Sequence, residues 1–216
     1  RQEQRPPGRL YGLVFFRKSL VNSKGMTEMN HKMMEVFEDC PVIAAVKDEE
    51  GLKKCLESEI PVVFVLYGDI CNIGDIVGRL KKAGKMAIIH LDLISGLSSK
   101  EIAVEFLKSV THADGIISTK PAIIRKAKEE GMFAIMRFFV IDSIAFESIE
   151  KQTENVRPDM IEVLPGVMPK IIKKICRQSR VPVIAGGLIT DKEDIMGALG
   201  AGAISISTTN QKVWFM

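Results

Sequence analysis

The stretch Val181 to Asn210, VPVIAGGLITDKEDIMGALGAGAISISTTN, decides how this chain folds. Its short apolar run Val183 to Ala185 ends in Gly186 and Gly187, where the missing Cβ lets backbone amides approach a ligand closely and take positive φ. Thr190, Asp191, Lys192 and Glu193 have the capping-box pattern that opens a helix. A second apolar run, Ala203 to Ser207, ends in Ser207, Thr208, Thr209 and Asn210, where hydroxyls and free amides meet. Taken alone, the glycine pair also reads as a tight turn and Ser207 with Thr208 as a helix cap. As the last two of eight strand-helix units, the same residues read as anion loops.

Six such units precede them. From Pro41 onward, apolar runs of strand length alternate with polar junctions and helical stretches: Val42 to Val46, Val62 to Tyr67, Met86 to Leu91, Gly115 to Ser118, Phe133 to Phe139 and Met160 to Leu164. Helix starts are marked by Asp48, Asn72, Ser98 with Glu101, Pro121, Asp142 and Pro169, and helix ends by Gly84 and Gly131. Such alternation implies parallel strands joined by crossover helices. Periodicity alone allows either an open doubly wound sheet or a closed barrel. Phosphate sites in (β/α)8 barrels are frequently built by the loops after the seventh and eighth strands, which favours closure. The expected fold is therefore α/β, a small TIM-type barrel with phosphate-binding loops after strands 7 and 8.

The first 25 residues lack this pattern. Basic residues, Pro6, Pro7 and one apolar patch from Leu10 to Phe16 read as an extension outside the fold, leaving residues 26–216 as one barrel domain. The patch is too short to span a membrane, and Arg17 and Lys18 follow it where a signal peptide would have its cleavage site. With 46% hydrophobic and 26% charged residues, the 216-residue chain has the composition of a soluble globular protein. A net charge of +3 neither demands nor excludes nucleic acid. Cys40, Cys55, Cys71 and Cys176 are far apart without a Cys-x-x-Cys pair, against a zinc site or disulfide framework and in keeping with a reduced cytoplasm.

Functional residues of such barrels lie at the carboxyl ends of the strands. Here these are Lys47, Asp69, His90, Asp92, Lys120, Arg137 and Glu162, with Gly166 just beyond the sixth strand. Ile88, His90 and Asp92 share one face of the third strand by the period-two rule. The charged members sum to zero, so a self-neutralising ring of salt bridges is one reading of the rim. Contact with a ligand is the other: Asp92 and Glu162 would accept hydrogen bonds from hydroxyls, and Lys47, Lys120 or Arg137 would help neutralise an anion. A catalytic reading uses Lys120 or Lys47 as a Schiff-base amine with Asp92 or Glu162 as acid or base. Cys71 lacks the paired histidine of a thiol nucleophile.

Several runs resemble the glycerol-uptake operon antiterminator family: CPVIAAVKDEEGL from Cys40, GDICNIG from Gly68, HLDLISGLSSKEIAVEFL from His90, DGIISTKPAII from Asp114, RFFVIDSIAFESIEK from Arg137, IEVLPGVMPKII from Ile161, IAGGLITDKEDI from Ile184 and ISTTNQKVWFM at the end. The resemblance spans about Met26 to Met216. It implies a TIM-type barrel that responds to glycerol 3-phosphate, binds leader messenger RNA and prevents transcription termination in glycerol-metabolism genes. It implies no metal or redox cofactor and no catalysis, and leaves a homo-oligomer open. By this analogy the phosphate lies over Gly186, Gly187, Ser207, Thr208 and Gly166, with the glycerol hydroxyls facing the rim.

Two basic clusters are candidates for RNA phosphates: Lys170, Lys173, Lys174, Arg177 and Arg180, and Arg79, Lys81, Lys82 and Lys85. Either also reads as the solvated face of an outer helix. The alternative function is an isomerase, aldolase or lyase acting on a small phosphorylated metabolite; a metabolite-binding module without RNA is a third.

Overall fold

The computed structural model describes residues 28–216, so the extension expected before residue 26 lies outside the described residues. A helix α1 (Glu28–Glu38) precedes β1 (Val42–Val46), α2 (Glu49–Glu57), β2 (Val62–Val65), α3 (Ile73–Lys82), β3 (Met86–His90), α4 (Ile102–Val110) and β4 (Gly115–Ser118). The second half continues with α5 (Pro121–Glu129), β5 (Phe133–Phe139), α6 (Ser143–Val156), β6 (Met160–Leu164), α7 (Pro169–Gln178), β7 (Val183–Gly186), α8 (Lys192–Gly200) and β8 (Ser205–Thr208). All neighbouring strands pair in parallel, and β8 closes onto β1, giving a closed eight-stranded barrel. Every expected strand is present, four with the expected ends and four with an end shifted by one or two residues. After β8 the chain makes a short 3-10 turn, Val213–Phe215, in the place of an eighth crossover helix.

Register shows which face points inward. Ala45 pairs with Phe64, Phe64 with Ile88, Ile88 with Gly115 and Gly115 with Phe133. Further along β5, Arg137 pairs with Glu162, and Gly186 pairs with Ser207 on the far side. Paired residues of parallel strands share a face, so the barrel interior is apolar toward the strand amino ends and polar toward the carboxyl ends. The helices pack their apolar stripes on the outside: Leu52 and Cys55 of α2, Ile73, Val77 and Leu80 of α3, and Ile172 and Ile175 of α7 are buried.

The amino end of the barrel is plugged by α1. Its Phe37 is fully buried and stacks on Phe133 at the start of β5, ring centroids 5.3 Å apart. Ser205, the first residue of β8, donates its hydroxyl to the carbonyls of Phe37 and Cys40 at 3.0 and 2.7 Å. One end is thus closed by packing, which leaves the carboxyl end as the open mouth.

Local start signals operate where a side chain reaches its amide. Asp48, Asp142 and Asp191 accept from the backbone N–H of Gly51, Ala145 and Asp194. The box expected from Thr190 to Glu193 is displaced by one residue: Asp191 caps, and Asp194 returns to the N–H and hydroxyl of Thr190. At α3 the expected cap Asn72 makes no side-chain bond to the helix: it accepts from the N–H of Asp69, whose carboxylate accepts from the N–H of Cys71 and Asn72 in the loop before the helix. Ser98 does not cap α4, which begins at Ile102 without a side-chain cap.

Candidate functional site

The centre of the mouth is built on β5, β6 and β8. Glu162 of β6 is completely buried, and charge there requires partners. Arg137 Nε donates to Glu162 Oε2 at 2.6 Å, and the Ser207 hydroxyl donates to Glu162 Oε1 in a short hydrogen bond. Gly186 completes this packing. A Cβ there would sit 2.6 Å from both Glu162 Oε1 and the Ser207 hydroxyl, so glycine is needed for the carboxylate to reach its donors. Among the described residues, Nε is the one Arg137 donor engaged in a hydrogen bond; the terminal nitrogens take no protein partner.

Beside this trio stands His90 at the end of β3. It is 3% exposed, and its Nδ1 has no hydrogen-bond partner. Burial pushes the imidazole pKa down to about 4, with the positive charge of Arg137 adding to the effect and Asp92 opposing it. At neutral pH the ring is therefore uncharged. Asp92 lies 4.0 Å away and is held by β4: it accepts from the Ser118 hydroxyl at 3.0 Å and from the Thr119 N–H and hydroxyl at 2.9 and 3.2 Å. Lys120 reaches Asp92 at 3.9 Å with its side chain about half exposed.

The loop after β7 covers one side. Gly187 and Leu188 both have positive φ, 78° and 63°, a rare state for leucine. The Gly166 N–H donates to the Gly187 carbonyl at 3.0 Å, tying the loop after β6 to the loop after β7. Thr208 donates its hydroxyl to the Ile189 carbonyl at 2.8 Å, and the Trp214 indole N–H donates to the Thr208 carbonyl at 2.9 Å. Side-chain donors of Ser207 and Thr208 are therefore already used within the protein.

A family model described as the glycerol-3-phosphate responsive antiterminator matches residues 42–214. The chain belongs to this antiterminator family. It is 49% identical over 182 residues to YgcP of Escherichia coli K12, covering 84% of this chain and 95% of that protein. The solved glycerol uptake operon antiterminator regulatory protein of Listeria monocytogenes is 35% identical with a TM-score of 0.78, over 81% of this chain and 94% of that one. A glycerol uptake operon antiterminator-related protein of Thermotoga maritima is 36% identical with a TM-score of 0.73, over 82% and 99%. Aldolases, among them the deoxyribose phosphate aldolase of Aeropyrum pernix at 15% identity and a TM-score of 0.61, share the barrel fold.

Within the antiterminator barrel, the residues expected at the rim divide into groups. His90, Asp92, Lys120, Arg137 and Glu162 come together around one half of the mouth, with Gly186 and Ser207 at its centre. No continuous ring of charge forms among the described residues: Asp69 is engaged by the N–H groups of Cys71 and Asn72 in its own loop, and Lys47 is exposed without an ion pair. Ser118 and Thr119, which position Asp92, were legible only as strand-end residues, because nothing in a Ser-Thr pair says which carboxylate it will face. Among the described residues, no three His, Cys, Asp or Glu side chains group as a metal set would.

The two basic clusters differ sharply. Arg79 pairs with Glu49 at 2.8 Å, Lys81 with Asp114 at 2.7 Å, and Lys85 is buried, donating to the carbonyls of Ser58 and Ile60. That cluster is largely occupied with holding the fold. Lys170, Lys173, Lys174 and Arg177 of α7 are all exposed and make no ion pair among the described residues, while Arg180 pairs with Glu154. No helix among the described residues is long and apolar enough to cross a membrane.

Proposed function

We propose that the mouth binds glycerol 3-phosphate and that the occupied barrel binds leader messenger RNA, so that transcription of glycerol-metabolism genes continues past a terminator. The observation that carries the ligand half is the buried Nδ1 of His90, which has no hydrogen-bond partner, beside an Arg137 guanidinium whose terminal nitrogens take no protein partner. A buried polar atom without a partner is costly unless a ligand supplies one. The phosphate would lie over the loop at Gly186, Gly187 and Gly166 and the strand end at Ser207 and Thr208; because the two hydroxyls and the Gly166 N–H are engaged within the protein, its charge-assisted hydrogen bonds would come from the terminal nitrogens of Arg137. The glycerol hydroxyls then lie toward His90, Asp92 and Lys120, where one neutral imidazole and one carboxylate offer acceptors.

Family membership supports a regulator without turnover of its own. Lys120 is half exposed and paired with Asp92, whereas a Schiff-base lysine works desolvated or beside another cation. RNA phosphates would meet the unpaired cations of α7, and a regulator of transcription works in the cytoplasm.

The test is a titration of fluorescent leader RNA with and without glycerol 3-phosphate at fixed moderate salt. A coupling of about 1–3 kcal/mol predicts roughly 5- to 150-fold tighter RNA binding with the ligand. Equal affinity in both conditions would remove the regulatory reading, because a ligand that binds both states equally shifts neither.

A further inference from the structure

Between α6 and α7, on the outside of the barrel, lies an open cleft of about 500 Å³. Ile149, Ile175, Val181 and Phe146 give it apolar walls, and Thr153 lines it. Thr153 is 7% exposed, and its hydroxyl has no hydrogen-bond partner. A helical threonine ordinarily bonds to the carbonyl one turn back. Thr111, which ends α4, makes the same bond, donating to the Leu107 carbonyl at 2.7 Å. Among the described residues, the other buried side-chain atom without a partner is His90 Nδ1, in the mouth.

The rim of the cleft carries mixed charge. Glu154 is neutralised by Arg180 at 3.2 Å, Arg157 and Glu150 stand on the α6 side, and Gln178 on the α7 side. Beyond Gln178 runs the stripe Lys170, Lys173, Lys174 and Arg177, spaced to share the outward face of α7. The helix has no acidic residue, and the stripe is ~10 Å long at 1.5 Å per residue. A slot with apolar walls, a polar rim and one buried hydroxyl without a partner in its lining, bordered by a row of free cations, matches a flat heteroaromatic ring attached to an anionic backbone.

We propose that this cleft receives an unpaired base of the RNA whose phosphates lie along α7, with the Thr153 hydroxyl bonding to the edge of the base. The inference rests on the RNA-binding reading above and adds where a base is read. It also gives the ligand a route to the RNA. The segment leading into α7 begins at Pro165 and Gly166, and Gly166 is hydrogen-bonded to Gly187 in the loop assigned to the phosphate.

The experiment compares the native protein with Thr153→Val, a change of the same shape that removes an unpartnered hydroxyl. Both are titrated, in saturating glycerol 3-phosphate, against leader RNAs in which each unpaired base is replaced in turn. Native protein should prefer one base at one position, and the variant should lose roughly 5- to 10-fold of that preference while keeping its salt dependence and ligand affinity. Crosslinks from 4-thiouridine placed at that position should map to Phe146 or Gln178. Native protein that binds RNA with ligand, but whose base preference survives Thr153→Val and whose crosslinks map elsewhere, overturns the cleft assignment and leaves the proposed function standing. No RNA binding by native protein overturns both. Concentration-dependent self-association that is lost on Gln178→Arg, with no crosslink to the cleft, shows that a second copy occupies it and also overturns the assignment.

Discussion

His90 shows how a single residue combines a cost with a use. A histidine at a strand end is unremarkable as sequence; what distinguishes it is the tertiary setting, in which the ring is buried beside Arg137 with one nitrogen unpartnered. Its folded pKa of about 4 lies below the ordinary value, so on acidification the unfolded chain takes up the proton first. Stability from this residue is intact above the ordinary histidine range and is lost progressively as pH falls toward 4. The expected loss between pH 7 and pH 5 is about 2 kcal/mol. Urea unfolding of native protein and His90→Gln at the two pH values measures it: the native midpoint should fall more steeply, and parallel behaviour would show that the imidazole is not held neutral. Gly186 is the complementary case. Its place at the end of an apolar run marked a backbone that must approach something closely, but the thing approached includes the protein's own Glu162 and Ser207.

Two helices with similar basic composition have different fates. In α3 the cations Arg79 and Lys81 are paired to acids of α2 and of the segment before β4, whereas the α7 cations face outward unpaired. Reversing both Lys173 and Lys174 to Glu should weaken RNA binding and flatten the slope of log affinity against log salt by at least about 1.4, since each phosphate neutralised on a single strand accounts for about 0.7 of it. Glycerol 3-phosphate affinity should not change. Lys81→Glu should instead lower thermal stability by disrupting Asp114 and leave the slope alone; a slope unchanged by the α7 reversals would place the RNA on another face. The caps teach the same lesson on a smaller scale. Asp48 and Asp142 were readable because cap and amide are three residues apart in sequence, while at α8 the cap fell one residue later than expected, on Asp191, and at α3 the side chain of Asn72 turned back to the N–H of Asp69.

The whole molecule is asymmetric from end to end. One mouth is sealed by α1, whose Phe37 lies on Phe133, and the other is left polar and open. Phe37→Ala should cost about 3–5 kcal/mol, the usual range for a fully buried aromatic, measured as a shift in urea midpoint. If α1 were only appended to the barrel, the shift would stay within the ~0.5 kcal/mol typical of surface substitutions. A closed sheet has no free edge, and its core is built from strands distant in sequence, so the loss should appear in one cooperative transition.

The barrel itself was determined by the sequence, because strand and helix periods and the punctuation between them are local properties. Eight apolar runs in the right order, ending in a glycine loop and a hydroxyl-rich strand end, leave little choice of architecture. The parity that turns His90, Arg137 and Glu162 toward the mouth is local too. Only the tertiary structure decided which charged groups meet: that Glu162 is claimed by Arg137 and Ser207, and that Arg79 and Lys81 of α3 are occupied while the cations of α7 are free. Those outcomes depend on distances between residues 25 to 45 positions apart in the chain, and no short-range pattern encodes a partner that far away.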